Sequence, residues 1–340
     1  MDSLTQIVLG AAVAEVVAGK ELGNKALVWG AVGGTIPDLD VVGSFFMGTV
    51  DYVNFHRGFS HSLVFGFLVA PILGWLLAKS RWSQGQPFWL WTRLFFWTIF
   101  THPLLDIFTS YGTQIFLPFS DYSVELNTIF IIDPAYTVPM LVALMVVMFY
   151  HREAPGRRKS VWVGILISHA YLLFTIVNKV FWVDPALKRE MDIQNLNVER
   201  FETIPAPFQN FLWQGIIKTT EGYYAGYFNP RRGRVPFDSF LYFPRDREAE
   251  RELEAFDDYQ KLMKFSRDYG WIEKVGENRY IYNDMRFSTT KGWLDSDSSD
   301  FIFSFKLNLE DEGLSVERNE PTTQLEWKDL SRVFNRIITD

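Results

Sequence analysis

The feature that most constrains this chain is the uneven distribution of its charges. Residues 1–182 contain 11 of the 33 Lys and Arg and 11 of the 40 Asp and Glu, and residues 183–340 contain the other 22 and 29. The first part is therefore net neutral, and the second part carries the whole formal charge of -7. This division predicts an apolar membrane domain, residues 1–182, followed by a water-soluble domain, residues 183–340.

Four apolar stretches in the first part are each near the length of about 20 residues that a membrane-spanning helix needs. A soluble helical core can supply one such run. Four in succession, with Trp and Phe near their ends, favour a polytopic α-helical membrane domain. Two weaker Gly- and Ala-rich segments precede them. The four stretches are 62–78, 88–108, 129–149 and 161–182, and the weaker segments are 3–19 and 25–36.

The basic residues of the connecting loops predict an orientation. Loops 79–87 and 150–160 are rich in Lys and Arg, whereas loop 109–128 has neither. The positive-inside rule therefore places the two basic loops in the cytoplasm. Residues 37–61 and the C-terminal domain would then lie outside the cytoplasm.

The second part of the chain is predicted to be an α+β domain. Aromatic-rich or alternating runs indicate strands at 221–228, 239–244, 278–287 and 300–309, and the charged run 245–270 predicts one amphipathic helix. Residues 202–210 are typical of a linker. The acidic balance argues against a nucleic-acid partner, because a phosphate backbone attracts a basic surface. The oligomeric state is not indicated by any of these patterns.

The motif THPLLD places two ionisable side chains on one helix face. His102 and Asp106 are four residues apart, so their side chains are neighbours on a helix and can bind one metal ion or each other. The alternative is a polar pair that packs against a neighbouring helix. Ionisable groups within an apolar span are costly to bury, and this favours a functional role.

Two further motifs, PDLD and FHRGFSHS, lie on the same predicted outer side. Asp38 and Asp40 would point the same way on an extended segment, although a turn is the alternative. His56 and His61 would converge from a loop and from the start of a helix that Ser60 caps. Arg57 would meet an anion such as phosphate, or else a lipid head group.

Together these segments predict a metal centre at the outer face of the membrane. Imidazole and carboxylate ligands suit zinc, with manganese as an alternative, and two ions would also be compatible with the set. One carboxylate, Asp40, could serve as a general base instead of a ligand, and Arg57 would hold a phosphate. Asp2, Gln6, Glu15 and Asp133 lie near the same side. The predicted ligands are Asp38, Asp40, His56, His61, His102 and Asp106.

The stretches MDSLTQIVLGAA, GTIPDLD, HRGFSHS and THPLLDIFTSYGTQ together resemble the YdjM-like inner-membrane proteins, over about residues 1–180. These proteins are usually described as membrane-bound metal-dependent hydrolases. The resemblance implies that the six predicted ligands and Arg57 are the metal and active-site positions, with support from Asp2, Gln6, Thr113 and Gln114. The H-x-x-x-D element is also similar to those of zinc-dependent phospholipase C and P1-type nucleases, which implies phosphoester chemistry.

The sequence therefore predicts a membrane metallohydrolase that acts on a phosphate-containing or amphiphilic substrate reached from the lipid bilayer. Two other classes stay open. Intramembrane charges also mark transport paths, so the chain could be a transporter. It could also be a scaffold in which the polar cluster holds helices together. No activity is predicted for residues 183–340.

Overall fold

The computed structural model describes residues 1–83, 85–287, 289, 292, 300–311, 313–322 and 332. The chain divides into two compact units. The first comprises Met1–Phe45, Phe55–Ile176 and Pro207–Gln209. The second comprises Phe46–Asn54, Val177–Ala206 and the described residues from Asn210 onward.

The N-terminal half of the chain is helical, as predicted. Two short 3-10 segments, Pro37–Phe45 and Phe59–His61, interrupt the α-helices. A π-helical turn at Lys179–Val183 joins the seventh helix to the eighth. In chain order the α-helices are α1 Ser3–Leu22, α2 Asn24–Thr35, α3 Thr49–Phe55, α4 Leu63–Lys79, α5 Phe88–Asp106, α6 Pro134–Met148, α7 Pro155–Asn178, α8 Asp184–Ile193, α9 Arg247–Leu253 and α10 Asp257–Phe265.

Within the described residues, two helices are long and apolar enough to cross a membrane. They are Ser3–Leu22 and Pro155–Ile193, and a third appears if Thr49–His61 and Leu63–Lys79, bent by 61°, form one broken span. The first of these, Ser3–Leu22, contains the segment 3–19, which the sequence predicts as only a weak apolar segment. The predicted span 129–149 is shortened because Asp133 caps α6 and Pro134 begins it. The polytopic arrangement stays a prediction.

Close packing of α1 against α2 depends on two glycines. A Cβ atom on Gly10 would lie 2.3 Å from the carbonyl oxygen of Gly30, and one on Gly34 would lie 2.5 Å from that of Gln6. Real Cβ atoms do not approach so closely, so larger side chains would push the helices apart. The same contact brings the end of α2, with the Gly34 carbonyl, against α5.

A buried ion pair fixes the other end of α1. Arg157 donates from Nε and Nη2 to the two carboxylate oxygens of Glu15, at 2.7 and 2.6 Å. Its Nη1 also donates to Asn24 Oδ1 at 2.8 Å. Nine residues of helix, about 13 Å, separate Glu15 from Gln6. Glu15 therefore does not join the other polar residues that the sequence placed on the outer side.

The C-terminal half is rich in antiparallel sheet, as predicted. One four-stranded sheet has the order β1-β2-β3-β4 and the other the order β5-β6-β7-β8, with every neighbouring pair antiparallel. The strands are β1 Val198–Pro205, β2 Trp213–Thr219, β3 Gly222–Phe228, β4 Leu241–Pro244, β5 Gly270–Lys274, β6 Arg279–Asp284, β7 Ser304–Glu310 and β8 Gly313–Asn319.

Strands β1, β2, β5 and β8 were not predicted, and two predicted segments have a different structure. The run 245–270 contains two helices, α9 and α10, because Phe256 adopts an extended backbone (φ -97°, ψ 127°) between them. The stretch 202–210 begins inside β1, and its residues 202–205 pair with β2. In the second case, pairing with β2 overrides the local turn pattern, because strand formation depends on cross-strand neighbours.

Candidate metal centre

Four side chains from three elements of the first unit converge on one point. Asp38 comes from the 3-10 segment Pro37–Phe45, His61 from the 3-10 turn Phe59–His61, and His102 and Asp106 from the last turn of α5. Each offers one ligand atom, and the four atoms all lie within 4.8 Å of one another. His61, His102 and Asp106 are fully buried, whereas the Asp38 side chain is 20% exposed. A metal ion can therefore be held by this group.

The two imidazole nitrogens lie at nearly equal distances from each other and from the two carboxylate oxygens. His61 Nε2 lies 3.2 Å from His102 Nε2. Asp38 Oδ1 lies 3.3 Å from each of these nitrogens. Asp106 Oδ2 lies 3.4 Å from each of them and is buried, with no hydrogen-bond partner among the described residues. An unsatisfied carboxylate oxygen in a buried site is costly, and a cation would remove that cost.

Neighbouring groups hold His102 and Asp106 in place. The Gly34 carbonyl lies 2.6 Å from His102 Nδ1, so this nitrogen carries the proton and Nε2 faces the cluster. Gln6 Nε2 donates to Asp106 Oδ1 at 2.8 Å and to the His102 carbonyl at 3.2 Å. The backbone nitrogen of Met1 also contacts Asp106 Oδ1. These contacts leave Asp106 Oδ2 directed at the centre.

Asp40 and His56, the other two predicted ligands, lie beside the four-residue group. Asp40 Oδ1 lies 2.8 Å from His56 Nδ1, and Asp40 Oδ2 lies 3.4 Å from His61 Nδ1. The rings of His56 and His61 are 6.0 Å apart. The structure thus brings all six residues into one region, with four of them around the central point.

Local backbone structure differs from the sequence interpretation at two places. PDLD is not extended but 3-10 helical, so Asp38 faces His61 and His102 while Asp40 faces His56 and Ser60. The cap of the following helix is Ser62 and not Ser60, because Phe65 N donates to Ser62 Oγ at 3.1 Å. Ser60 instead donates its hydroxyl to Asp40 Oδ2 at 2.9 Å.

Arg57 is buried beside the cluster. Its Nη1 donates to Thr109 Oγ1 at 2.9 Å, and its guanidinium lies 5.1 Å from the ring of Tyr111. Nε lies 3.5 Å from Asp106 Oδ2 and makes no hydrogen bond to any residue that the structure describes. Its backbone has a positive φ of 59°, and its N–H donates to Asp40 Oδ2 at 3.0 Å. Strain of this kind is typical of functional sites.

The two acidic groups of the 3-10 segment have lowered pKa values. Burial raises the pKa of the Asp38 carboxyl, but hydrogen bonds from His102 and His61 outweigh it and hold the pKa well below its ordinary value. Burial likewise raises the pKa of Asp40, and hydrogen bonds from His56 and His61 bring it far below the ordinary range. Both carboxylates are therefore ionised at neutral pH.

Sequence reasoning did not find the supporting contacts of Gly34 and Thr109. The Gly34 contact comes from a backbone carbonyl, which no side-chain motif reveals. Thr109 lies in the quoted stretch THPLLDIFTSYGTQ, three residues after Asp106, but its contact with Arg57 depends on tertiary packing. Asp133, which the sequence placed near the site, instead caps α6 and accepts a hydrogen bond from Tyr171 at 2.8 Å.

A helical, apolar N-terminal half with a buried Asp and His cluster defines a class of membrane-associated protein with a candidate metal centre. The sequence pattern of the YdjM inner membrane protein family matches residues 1–181, and the chain belongs to that family. It is also similar to the uncharacterized protein YfhP of Bacillus subtilis (strain 168), with 26% identity over 302 residues, 84% of this chain and 87% of that protein. No solved structure matches the chain significantly.

Proposed function

We propose that the protein is a membrane-bound, metal-dependent hydrolase of the bacterial inner membrane. The observation that carries the proposal is the group formed by Asp38, His61, His102 and Asp106. Its two imidazole nitrogens and two carboxylate oxygens face one point, and one of those oxygens accepts no hydrogen bond from the part of the chain that the structure describes. Membership of an inner membrane protein family supports the location.

The donor set and its spacing support zinc as the ion, with manganese as the alternative. Zinc binds imidazole nitrogen and carboxylate oxygen at about 2.0–2.2 Å in tetrahedral sites, which corresponds to ligand atoms about 3.3–3.6 Å apart. The separations of 3.2–3.4 Å between the two imidazole nitrogens, and between each of them and the two carboxylate oxygens, are close to this value. Carboxylate and imidazole also suit manganese, but its usual octahedral geometry needs further ligands.

Within this proposal, Arg57 contacts the anionic part of the substrate. A divalent ion held by the four protein atoms would need a fifth, open position to polarise a phosphoryl oxygen and activate water for attack. The guanidinium lies on the Asp106 side of the cluster, with Nε free to donate. It would balance the negative charge of a phosphoester as the substrate reacts. The H-x-x-x-D element, shared with zinc phosphoesterases, supports this substrate class.

The surface of the 3-10 segment that supplies Asp38 supports an amphiphilic substrate. Leu39, Val42 and Phe45 are 57%, 50% and 81% exposed, respectively. Asp38, on the same segment, is the most exposed member of the four-residue group. A substrate with a polar head at Asp38 and an acyl chain along these apolar side chains would fit this arrangement. We propose that this face lies at the outer membrane–water interface, with the C-terminal domain outside the cytoplasm.

The test is turnover of a phosphodiester or phospholipid probe by purified protein in detergent. Hydrolysis that is lost on chelation, restored by zinc or manganese and absent from the His102→Ala variant would support the proposal. His151→Ala is the matched control, because His151 is exposed in the 150–160 loop. Solute flux into liposomes that survives chelation, without any hydrolysis, would favour a transporter and overturn the proposal.

A further inference from the structure

The carboxylate of Asp40 already accepts several hydrogen bonds. Its Oδ2 accepts from the backbone N–H of Arg57 at 3.0 Å and from the Ser60 hydroxyl at 2.9 Å. Its Oδ1 lies 2.8 Å from His56 Nδ1, which must donate because an ionised carboxylate only accepts. The side chain is only 2% exposed. Little of its acceptor capacity remains for a metal ion or for a proton from water.

The Ser60 hydroxyl connects Asp40 to His61. Ser60 Oγ lies 2.9 Å from His61 Nδ1 as well as 2.9 Å from Asp40 Oδ2. A serine has one proton to donate, and this proton goes to the carboxylate, which cannot donate in return. The hydroxyl oxygen must then accept from His61, so Nδ1 of that ring carries a proton.

We infer that Asp40 is a positioning residue, which acts through Ser60 to fix the tautomer and orientation of His61 so that Nε2 faces the metal site. The inference rests on the proposed function, since it concerns the affinity of the same site. Metal-binding histidines commonly donate their second ring N–H to a carboxylate, carbonyl or hydroxyl oxygen, and this orients the ring. His102 uses the Gly34 carbonyl in this way, and His61 uses the Asp40–Ser60 pair.

As a positioning residue, Asp40 is neither the metal ligand nor the general base that the sequence predicts. A ligand would need an oxygen directed at the central point, whereas Asp40 Oδ2 approaches His61 on the opposite nitrogen, Nδ1. A general base would need an oxygen open to water. Asp40 also holds the backbone of Arg57 in its positive-φ conformation, so one carboxylate positions two neighbours of the metal site.

The test measures zinc affinity, the visible spectrum of the cobalt-substituted protein and the melting temperature of the metal-free protein. Ser60→Ala and Asp40→Asn should each weaken zinc binding about 10–100-fold, as removal of such supporting contacts typically does. Ser60→Thr keeps a hydroxyl and should retain an affinity near that of the wild type. Ser44→Ala is the matched control, because the Ser44 hydroxyl is exposed and donates to the Val41 carbonyl of the same segment, at 2.7 Å.

The outcomes distinguish the inference about Asp40 from the proposed function. Unchanged zinc affinity and an unchanged cobalt spectrum in Ser60→Ala would overturn the inference alone. A loss in Asp40→Asn that Ser60→Ala does not share would also overturn it, because Asp40 would then act directly. Absence of metal binding in the wild type would overturn the proposed function and the inference together. Melting temperatures near that of the wild type would show that weaker binding does not come from unfolding.

Discussion

The Nε2 atoms of His61 and His102 face each other at 3.2 Å across an interplanar angle of 72°. Two carboxylate oxygens, from Asp38 and Asp106, lie 3.3–3.4 Å from both nitrogens. The two carboxylates place negative charge at this point, and a divalent ion would neutralise it. Protons and a divalent ion compete for the same imidazole nitrogens, and this competition underlies the account of the site.

Zinc affinity should therefore rise with pH. Protons compete with the ion for the imidazole nitrogens, so binding releases protons and is weakened by acid. Each displaced proton contributes up to about tenfold in affinity per pH unit. Titrations with a competing chelator at pH 5.5, 6.5 and 7.5 check this. An affinity that is constant over this range would show that no ring proton is displaced.

Gly34→Ala should weaken metal binding although residue 34 offers no side-chain ligand. The added Cβ would lie 2.5 Å from the Gln6 carbonyl oxygen, so α1 and α2 must separate. The shift would move the Gly34 carbonyl from His102 and cost about 1–3 kcal/mol of stability, the usual range for overpacking. Thermal melting and zinc affinity measure the two effects.

The control for this variant is Gly48→Ala, where an added Cβ meets no described residue within 4 Å. Its melting temperature and zinc affinity should stay close to those of the wild type. If Gly34→Ala behaves like Gly48→Ala, the close approach of α1 and α2 does not support the site.

Glu15→Gln should destabilise the protein without emptying the metal site. The change leaves the buried guanidinium of Arg157 without its carboxylate, and breaking a buried pair in this way costs about 3–5 kcal/mol. Because Glu15 lies about 13 Å along α1 from Gln6, zinc stoichiometry should be unchanged. Denaturation monitored by circular dichroism, with metal analysis of the same sample, checks both results.

Glu153→Gln is the control for Glu15→Gln, since Glu153 is exposed on the loop before α7. It should change stability by less than about 0.5 kcal/mol, as surface substitutions usually do. Equal effects of the two variants would mean that the Glu15–Arg157 pair contributes nothing particular to the first unit.

The orientation can be tested with single cysteines, because the sequence contains no Cys. Ser120→Cys, in the loop predicted outside, should react with a membrane-impermeant maleimide in intact spheroplasts. Ser83→Cys, in the basic 79–87 loop, should react only after permeabilisation. The reverse pattern would place the metal cluster on the cytoplasmic side.

The sequence predicted the helical and sheet-rich halves because charge density and residue periodicity are local properties. It also brought Asp38, His61, His102 and Asp106 into one region, since each lies beside a helix end that hydropathy reveals. The sequence did not predict that Asp38 and Asp40 face different partners. That difference arises because the segment is 3-10 helical and not extended.

The supporting contacts were the least predictable part of the site. Gly34 acts through its carbonyl, and Ser60 was interpreted as a helix cap although its hydroxyl contacts Asp40 and His61. Both contacts require tertiary packing of separate segments. The prediction that Glu15 lies near the outer side was wrong for a related reason. Its position along α1 pairs it with Arg157, which in the sequence is one of several cations of the 150–160 loop.

The most direct test of the account is the metal content of the purified wild-type protein compared with the His102→Ala variant, with X-ray absorption at the zinc edge. We expect about one zinc per chain in the wild type, bound by four nitrogen or oxygen ligands at about 2.0–2.1 Å, and none in the variant. A wild-type protein without zinc or manganese, or a metal content that His102→Ala leaves unchanged, would contradict the account.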